Sequence, residues 1–342
     1  MLKTNELGSS GVHVTELGFG TASLGNLYKA VSNQEAENTL TAALHSGINY
    51  YDTAPRYGLG LSERRLGDAL RSRSKADYII STKVGRLLTP DRRADTKSNR
   101  YGFETPMPFD AHYDYSYDGI MRSFDDSLQR LGLAEIDILL VHDIGIDTHK
   151  MQDSLYFNQF KNSGYRALES LRQQKLIKAV GLGVNETQIC ERVMSLGQFD
   201  CFLIAGRYSL LEQAAIDSFL PQCQAHGASV ILGGPYNSGI LATGVKKGDT
   251  PFYNYAPAPQ HIIKQVQKIQ SVCKDYNVPL AAAALQFPLA HSQVATVIPG
   301  LGSQLQVAQT HQLFNHDIPD ELWHELKRLG LIRDEAPVPS AS

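Results

Sequence analysis

Several things this 342-residue chain lacks narrow its class at once. No stretch approaches the ~18 consecutive apolar residues that span a membrane. Residues 1–20 hold no apolar core of roughly 7–15 residues such as a secretory signal carries. The expectation is a cytoplasmic protein with no membrane partner. Only four cysteines occur, Cys190, Cys201, Cys223 and Cys273, and none are paired as metal ligands are. Free thiols and no metal are therefore expected. A net charge of −3 gives no electrostatic footprint for nucleic acid. No Pro-, Ser- or Gly-rich linker divides the chain, so residues 1–342 read as one domain. Hydrophobic residues make up 42% and charged ones 20%, enough to bury a large core.

Short β-branched runs alternate with amphipathic ones for most of the length. Strands are expected at Leu17–Gly20, Ile48–Asp52, Tyr78–Lys83, Ile136–His142, Ile177–Gly183, Cys201–Ala205, Ser229–Gly233 and Ala295–Pro299. Helices are expected at Asn33–Ser46, Ser62–Arg71, Asp118–Leu131, Tyr165–Gln174, Glu186–Leu196, Glu212–His226, Gln260–Tyr276 and Ser303–Leu313. Eight strand–helix units are what a closed (β/α)8 barrel of the TIM type needs. Ser32 or Asn33 can cap the first helix, Ser62 the second, and Gly47 can stop the first. Leu2–Leu7 and Val12–Thr15 flank Gly8-Ser9-Ser10-Gly11, which reads as a hairpin across the bottom of the barrel. Three connections are long, Gly85–Tyr117, Asp143–Gly164 and Gly234–Pro259. They follow strands 3, 4 and 7 of the barrel, on the face where active sites form. The tail Leu331–Ser342 is either a free end or a flap over that face.

The chemistry concentrates at strand ends. Tyr50-Tyr51-Asp52-Thr53-Ala54-Pro55-Arg56-Tyr57-Gly58, Ser81-Thr82-Lys83-Val84-Gly85 and Val141-His142-Asp143 each close an apolar run. In a parallel barrel those ends converge, bringing together Asp52, Tyr57, Lys83 and His142. A free phenol has a pKa near 10 and is a poor proton carrier at neutral pH. An ammonium at Lys83 would lower it, Asp52 would hold the ammonium, and His142 would orient a carbonyl oxygen. Singly, each residue has a structural explanation: a buried ion pair, a core histidine, one tyrosine among sixteen. All four types on three successive strand ends favour an acid/base site.

At these residues the chain resembles the aldo-keto reductases, whose tetrad is Asp, Tyr, Lys and His in this order. Gly18-Phe19-Gly20-Thr21, Leu59-Gly60-Leu61-Ser62-Glu63-Arg64-Arg65-Leu66-Gly67, Arg130-Leu131-Gly132 and Ile298-Pro299-Gly300 extend the resemblance over about residues 10–315. It implies a nicotinamide cofactor across the barrel mouth, with hydride passing between its C4 and the substrate and Tyr57 moving the proton. Cofactor contacts carry over to Gly20, Thr21, Asp52, Asn185, Gly233, Gly234, Pro235, Tyr236, Asn237, Ser238, Gly300 and Gln306. Substrate contacts carry over to Ala22, Tyr57, His142 and Asp143. A nucleotide-sensing subunit without turnover is the alternative that the same family offers.

The departures are informative. Asn185 lies one residue later than the family's amide, Gly233 replaces its stacking tyrosine, and Ala205 replaces its glutamine. Members preferring NADP carry Lys or Arg beyond the strand-8 Ile-Pro, where this chain has Gly300, Leu301 and Gln306. NAD is therefore expected over NADP, since a 2′-phosphate needs cationic partners. Ala22 and Asp143 stand where aldehyde-specific members have tryptophans, which predicts a wider, more polar pocket able to bond sugar hydroxyls. With the loop Phe109–Gly119, this resembles the aldose 1-dehydrogenase branch, which oxidises L-fucose, D-arabinose or L-galactose type hemiacetals to lactones. Pyridoxal 4-dehydrogenase is the similar alternative, because pyridoxal also forms an internal hemiacetal.

Overall fold

The computed structural model describes residues 2–246 and 248–340. In chain order its strands are β1 (Thr4–Glu6), β2 (His13–Thr15), β3 (Phe19–Gly20), β4 (Tyr50–Asp52), β5 (Ile79–Val84), β6 (Arg86–Pro90) and β7 (Phe109–Tyr113). There follow β8 (Ile138–His142), β9 (Ala179–Val184), β10 (Cys201–Ala205), β11 (Ser229–Gly233), β12 (Phe252–Tyr253), β13 (Ala256–Pro257) and β14 (Val294–Ile298). Among the described residues, eight of these form one parallel sheet in the order β14-β11-β10-β9-β8-β5-β4-β3. Parallel bridges Leu17–Val297 and Gly20–Gly300 join its two edges. The sheet is thus rolled into the (β/α)8 barrel, which leaves no exposed strand edge.

The eight expected barrel strands are all present, shifted at their ends by up to two residues. The helices between them follow local signals. Ser32 accepts from the Glu35 N–H and starts the helix Asn33–His45. Ser116 does the same for Tyr117–Leu131, which buries Ile120, Phe124, Ser127 and Leu131 on one face and stops at the left-handed Gly132. Ser62 is not a cap. The helix Leu61–Leu70 begins after Gly60, and the Ser62 hydroxyl is buried against Thr21 and Thr53. The expected helix Glu212–His226 is broken into a turn at Ala214–Ile216 and a helix Phe219–His226. Pro221 explains the late start, because proline fits only the first turn of a helix. Helices Leu280–Gln286 and Asp320–Arg328 went unanticipated.

The N-terminal hairpin pairs Thr4–Glu6 with His13–Thr15 and closes the bottom. Its Leu7, Val12 and Val14 are buried in one apolar cluster with Tyr50, Ile138, Leu140, Ala179, Leu203 and Ile231, the side chains that fill the barrel. The long connections are structured. Residues 85–117 carry the β6–β7 hairpin, 143–164 are largely helical, and 234–259 hold a helical turn and the β12–β13 hairpin. The tail is neither free nor a flap over residues 331–340. Leu331, Ile332 and Ala336 are buried, and Arg333 bonds Gln213 and Asp217 on the flank. Ala341 and Ser342 lie outside the described residues.

Candidate active site

Side chains alternate between the two faces of a strand, so one register decides what enters the barrel. On β8, Ile138 and Leu140 belong to the interior cluster, while Leu139 and Val141 pack outward on the helices. The next inward position is His142. On β4, Tyr50 is interior and Tyr51 exterior, making Asp52 interior. Strand β5 likewise turns Ile80 and Val84 outward and Lys83 inward. Three polar residues thus top three neighbouring strands by the same period that buries the core beneath them. The matching positions on β9, β10 and β11 are Gly183, Ala205 and Gly233.

The Lys83 ammonium is almost fully buried and donates to both Asp52 oxygens at 2.8 and 2.7 Å, to the Thr53 carbonyl at 2.9 Å and to the Tyr57 hydroxyl at 3.3 Å. Ser81 donates to Asp52 Oδ1 at 2.7 Å. A Cβ at residue 183 would stand 2.8 Å from Lys83 Cε, so glycine there makes room for the lysine. Burial raises the Asp52 carboxyl, opposed chiefly by Lys83. One expectation is overturned. The Tyr57 phenol is pushed well above its ordinary value, first by burial and then by Asp52 and Asp143. Arg86 opposes this in part. At neutral pH Tyr57 is a proton-bearing phenol, a donor toward a carbonyl oxygen.

His142 is buried, and burial followed by Arg86, Lys83 and Arg56 holds its pKa well below the usual imidazole range. Its ring stands edge-on to Tyr57 at 6.0 Å. Its carbonyl accepts from the buried Tyr115 hydroxyl at 2.8 Å. The Tyr115 ring fills the space beside Gly85, where a Cβ would approach to 2.3 Å. Asp143 is ion-paired through Oδ2 to Arg86. The Arg86 guanidinium in turn packs over Tyr113 at 4.8 Å.

Two connected cavities open at these strand ends. The first, about 430 Å³, lies over Tyr57, Lys83, His142 and Asp143 and reaches Ala22 and Asn185. The second, about 550 Å³, runs from Asp52 and Tyr57 along Gly20, residues 233–238, Gly300 and Gln306. It is lined by no Lys or Arg among the described residues. Of the expected residues only Thr21 lines neither: its hydroxyl is buried against the Asp52 carbonyl and Ser62. Gln306 Oε1 already accepts from the Gly302 N–H at 2.7 Å, leaving its amide donors free to serve a ligand. Asn185 receives the Tyr255 hydroxyl at 3.4 Å. Sequence reasoning missed Arg56, Arg86, Tyr28, Tyr101, Phe103 and Tyr255, all in the first cavity. Arg56 lies within a motif already singled out and Arg86 directly follows another, which was the available signal. The aromatics come from loops with no periodicity to expose them.

The comparisons with known proteins agree with this arrangement. The model of the Aldo/keto reductase family matches residues 16–330. The chain is 45% identical to pyridoxal 4-dehydrogenase of Microbacterium luteolum, over 97% of this chain and 99% of that one. It is 37% identical to D-threo-aldose 1-dehydrogenase of a Pseudomonas species, over 95% and 96%. An aldo-keto reductase of Bacillus halodurans in its holo form superimposes with a TM-score of 0.73 at 28% identity, covering 96% of each chain.

Proposed function

Because this chain belongs to the aldo/keto reductase family, we propose that it oxidises the cyclic hemiacetal of pyridoxal to the corresponding lactone. One observation carries the choice of substrate: the chamber over Tyr57 and His142 has aromatic walls and two guanidiniums, and its one acid among the described residues, Asp143, is engaged by Arg86. A flat, electron-poor heteroaromatic ring suits such walls through stacking. A sugar would need free acceptors for its many hydroxyls, which would otherwise be left unpaired on desolvation. The 45% identity to a pyridoxal 4-dehydrogenase supports the same reading.

The family uses NAD(P)H, and the long cleft suits an extended dinucleotide. Its walls include Gly20, Gly206, Gly233, Gly234, Gly239 and Gly300, which lack side chains, and the small Ala205, so a ligand can lie close to the backbone there. Tyr255 supplies the aromatic wall that Gly233 does not. The absence of cations in that cleft among the described residues favours NAD over NADP. When bound, the cofactor is the two-electron acceptor for the C–H bond at the hemiacetal carbon. His142, held neutral, hydrogen-bonds the reacting oxygen. Tyr57 receives the hydroxyl proton after giving up its own, and Lys83 with Asp52 fixes it for that transfer. Lactone, NADH and one proton are the products.

Initial rates with NAD on pyridoxal, L-fucose, D-arabinose and L-galactose test the assignment. Pyridoxal is expected to show the highest kcat/KM by at least about tenfold. A sugar in that place would transfer the assignment to the aldose 1-dehydrogenase reading, which the 37% identical relative favours.

A further inference from the structure

We propose that Arg56 and Arg86 form an oxyanion subsite that selects a substrate bearing an ionised hydroxyl next to its hemiacetal carbon. The inference rests on the hemiacetal reading above and goes further by naming the charge that the substrate must bring.

Lys83 is matched by Asp52, and Arg86 by Asp143. Arg56 has no carboxylate within ion-pair distance among the described residues. Its guanidinium lies instead over the Tyr101 ring, 4.5 Å from the centroid. Asp143 and Asp110 act on it through space, but among the described residues no carboxylate contacts it. Arg86 is only 7% exposed, and its Nε is buried with no hydrogen-bond partner. A guanidinium has five N–H donors in a fixed fork, and a buried donor left unpaired is destabilising. Burial and then Arg86 hold the Arg56 pKa below its ordinary value, the mark of two cations sharing a small volume.

An anionic oxygen beside Arg56 would contact the one guanidinium of the chamber that no carboxylate touches among the described residues, and would ease its repulsion with Arg86. The two arginines line the same chamber as Tyr57 and His142, so the anion and the reacting carbon belong to one molecule. Tyr101 and Phe103 beside them are flat apolar walls, so the oxygen is best carried on an aromatic ring. An aryl oxide ortho to the hemiacetal carbon meets each requirement. A neutral sugar meets none of those set by charge.

The test is calorimetric titration of NAD-saturated enzyme with 4-pyridoxolactone and with its 3-deoxy analogue, which lacks the ring hydroxyl. The hydroxylated ligand is expected to bind at least tenfold tighter, with the margin widening as pH rises through its ionisation. Arg56→Gln should abolish most of that margin, and Arg56→Lys should keep part of it. Thermal melts establish that each variant is folded. Equal binding of the two ligands, no binding by either, or an undiminished margin in Arg56→Gln would overturn the subsite. Pyridoxal turnover is scored separately. A margin without turnover retains the subsite and sinks the dehydrogenase reading, while turnover without a margin does the reverse.

Discussion

The two halves of the barrel mouth are built on opposite principles. On β4, β5 and β8 the last inward residues are Asp52, Lys83 and His142, each buried and polar. On β9, β10 and β11 the same positions hold Gly183, Ala205 and Gly233, which contribute almost nothing but space. One half concentrates charge in a low-dielectric setting, where a group left without its partner is severely penalised. The other removes side chains so that a ligand can lie against the main chain. A hydride-transfer site needs both, fixed proton-handling groups and an empty berth beside them. Gly183 is the seam, since its missing Cβ gives Lys83 room to cross beneath the chamber.

The largest effect is expected at the charged half. Tyr57→Phe should lower kcat by about 10²–10⁴-fold, the usual range for a lost acid/base group. NAD binding, followed by protein fluorescence, should stay unchanged. Because burial raises the Tyr57 phenol, wild-type oxidation should climb with pH through the alkaline range. The depressed His142 should add no limb near pH 6.5. A rate that is flat from pH 7 to 10 would remove Tyr57 from the proton-transfer step.

Lys83→Met breaks the buried ion pair and leaves Asp52 uncompensated, a loss of about 3–5 kcal/mol in urea unfolding. Burial already raises Asp52, so the lone carboxyl takes up a proton readily. The variant should therefore recover stability relative to wild type as pH falls. Constant destabilisation from pH 8 to 5 would show that Asp52 stays ionised. Gly183→Ala probes the seam. Displacing Lys83 slightly should reduce kcat about tenfold or more, with a smaller change in NAD affinity. Equal losses in both would mean that the two halves are not separable there. The smallest effect belongs to the open half: Gln306→Arg should tighten NADP binding about tenfold by pairing the 2′-phosphate, with NAD affected little. Unaltered NADP affinity would place the ribose elsewhere.

Much of this was legible in the chain. The strands of the barrel could be read because both their faces are buried, so they appear as unbroken apolar runs such as Ile138–Val141. Asp52, Lys83 and His142 were legible because each ends such a run, and Tyr57 because it follows Asp52 by five residues in the turn beyond. Helix ends set by a serine and three-residue spacing, Ser32 with Glu35, were legible too. Ser62 was misjudged as a cap because its polar partners, Thr21 and Thr53, come from other strand ends. The pairing of Asp143 with Arg86, fifty-seven positions away, has no local sign in the sequence.

What the sequence determined by itself is the alternation: which residues fill the barrel, where each strand stops, and hence that Asp52, Lys83 and His142 share one mouth. Those follow from periodicity and burial, which act between near neighbours. Charge state and pairing were decided only by the tertiary structure. It left Tyr57 protonated, gave Asp143 to Arg86, and turned Arg56 into the chamber without a carboxylate. Electrostatic and desolvation terms depend on every group within several ångströms, whatever its place in the chain, and only the folded protein fixes those distances.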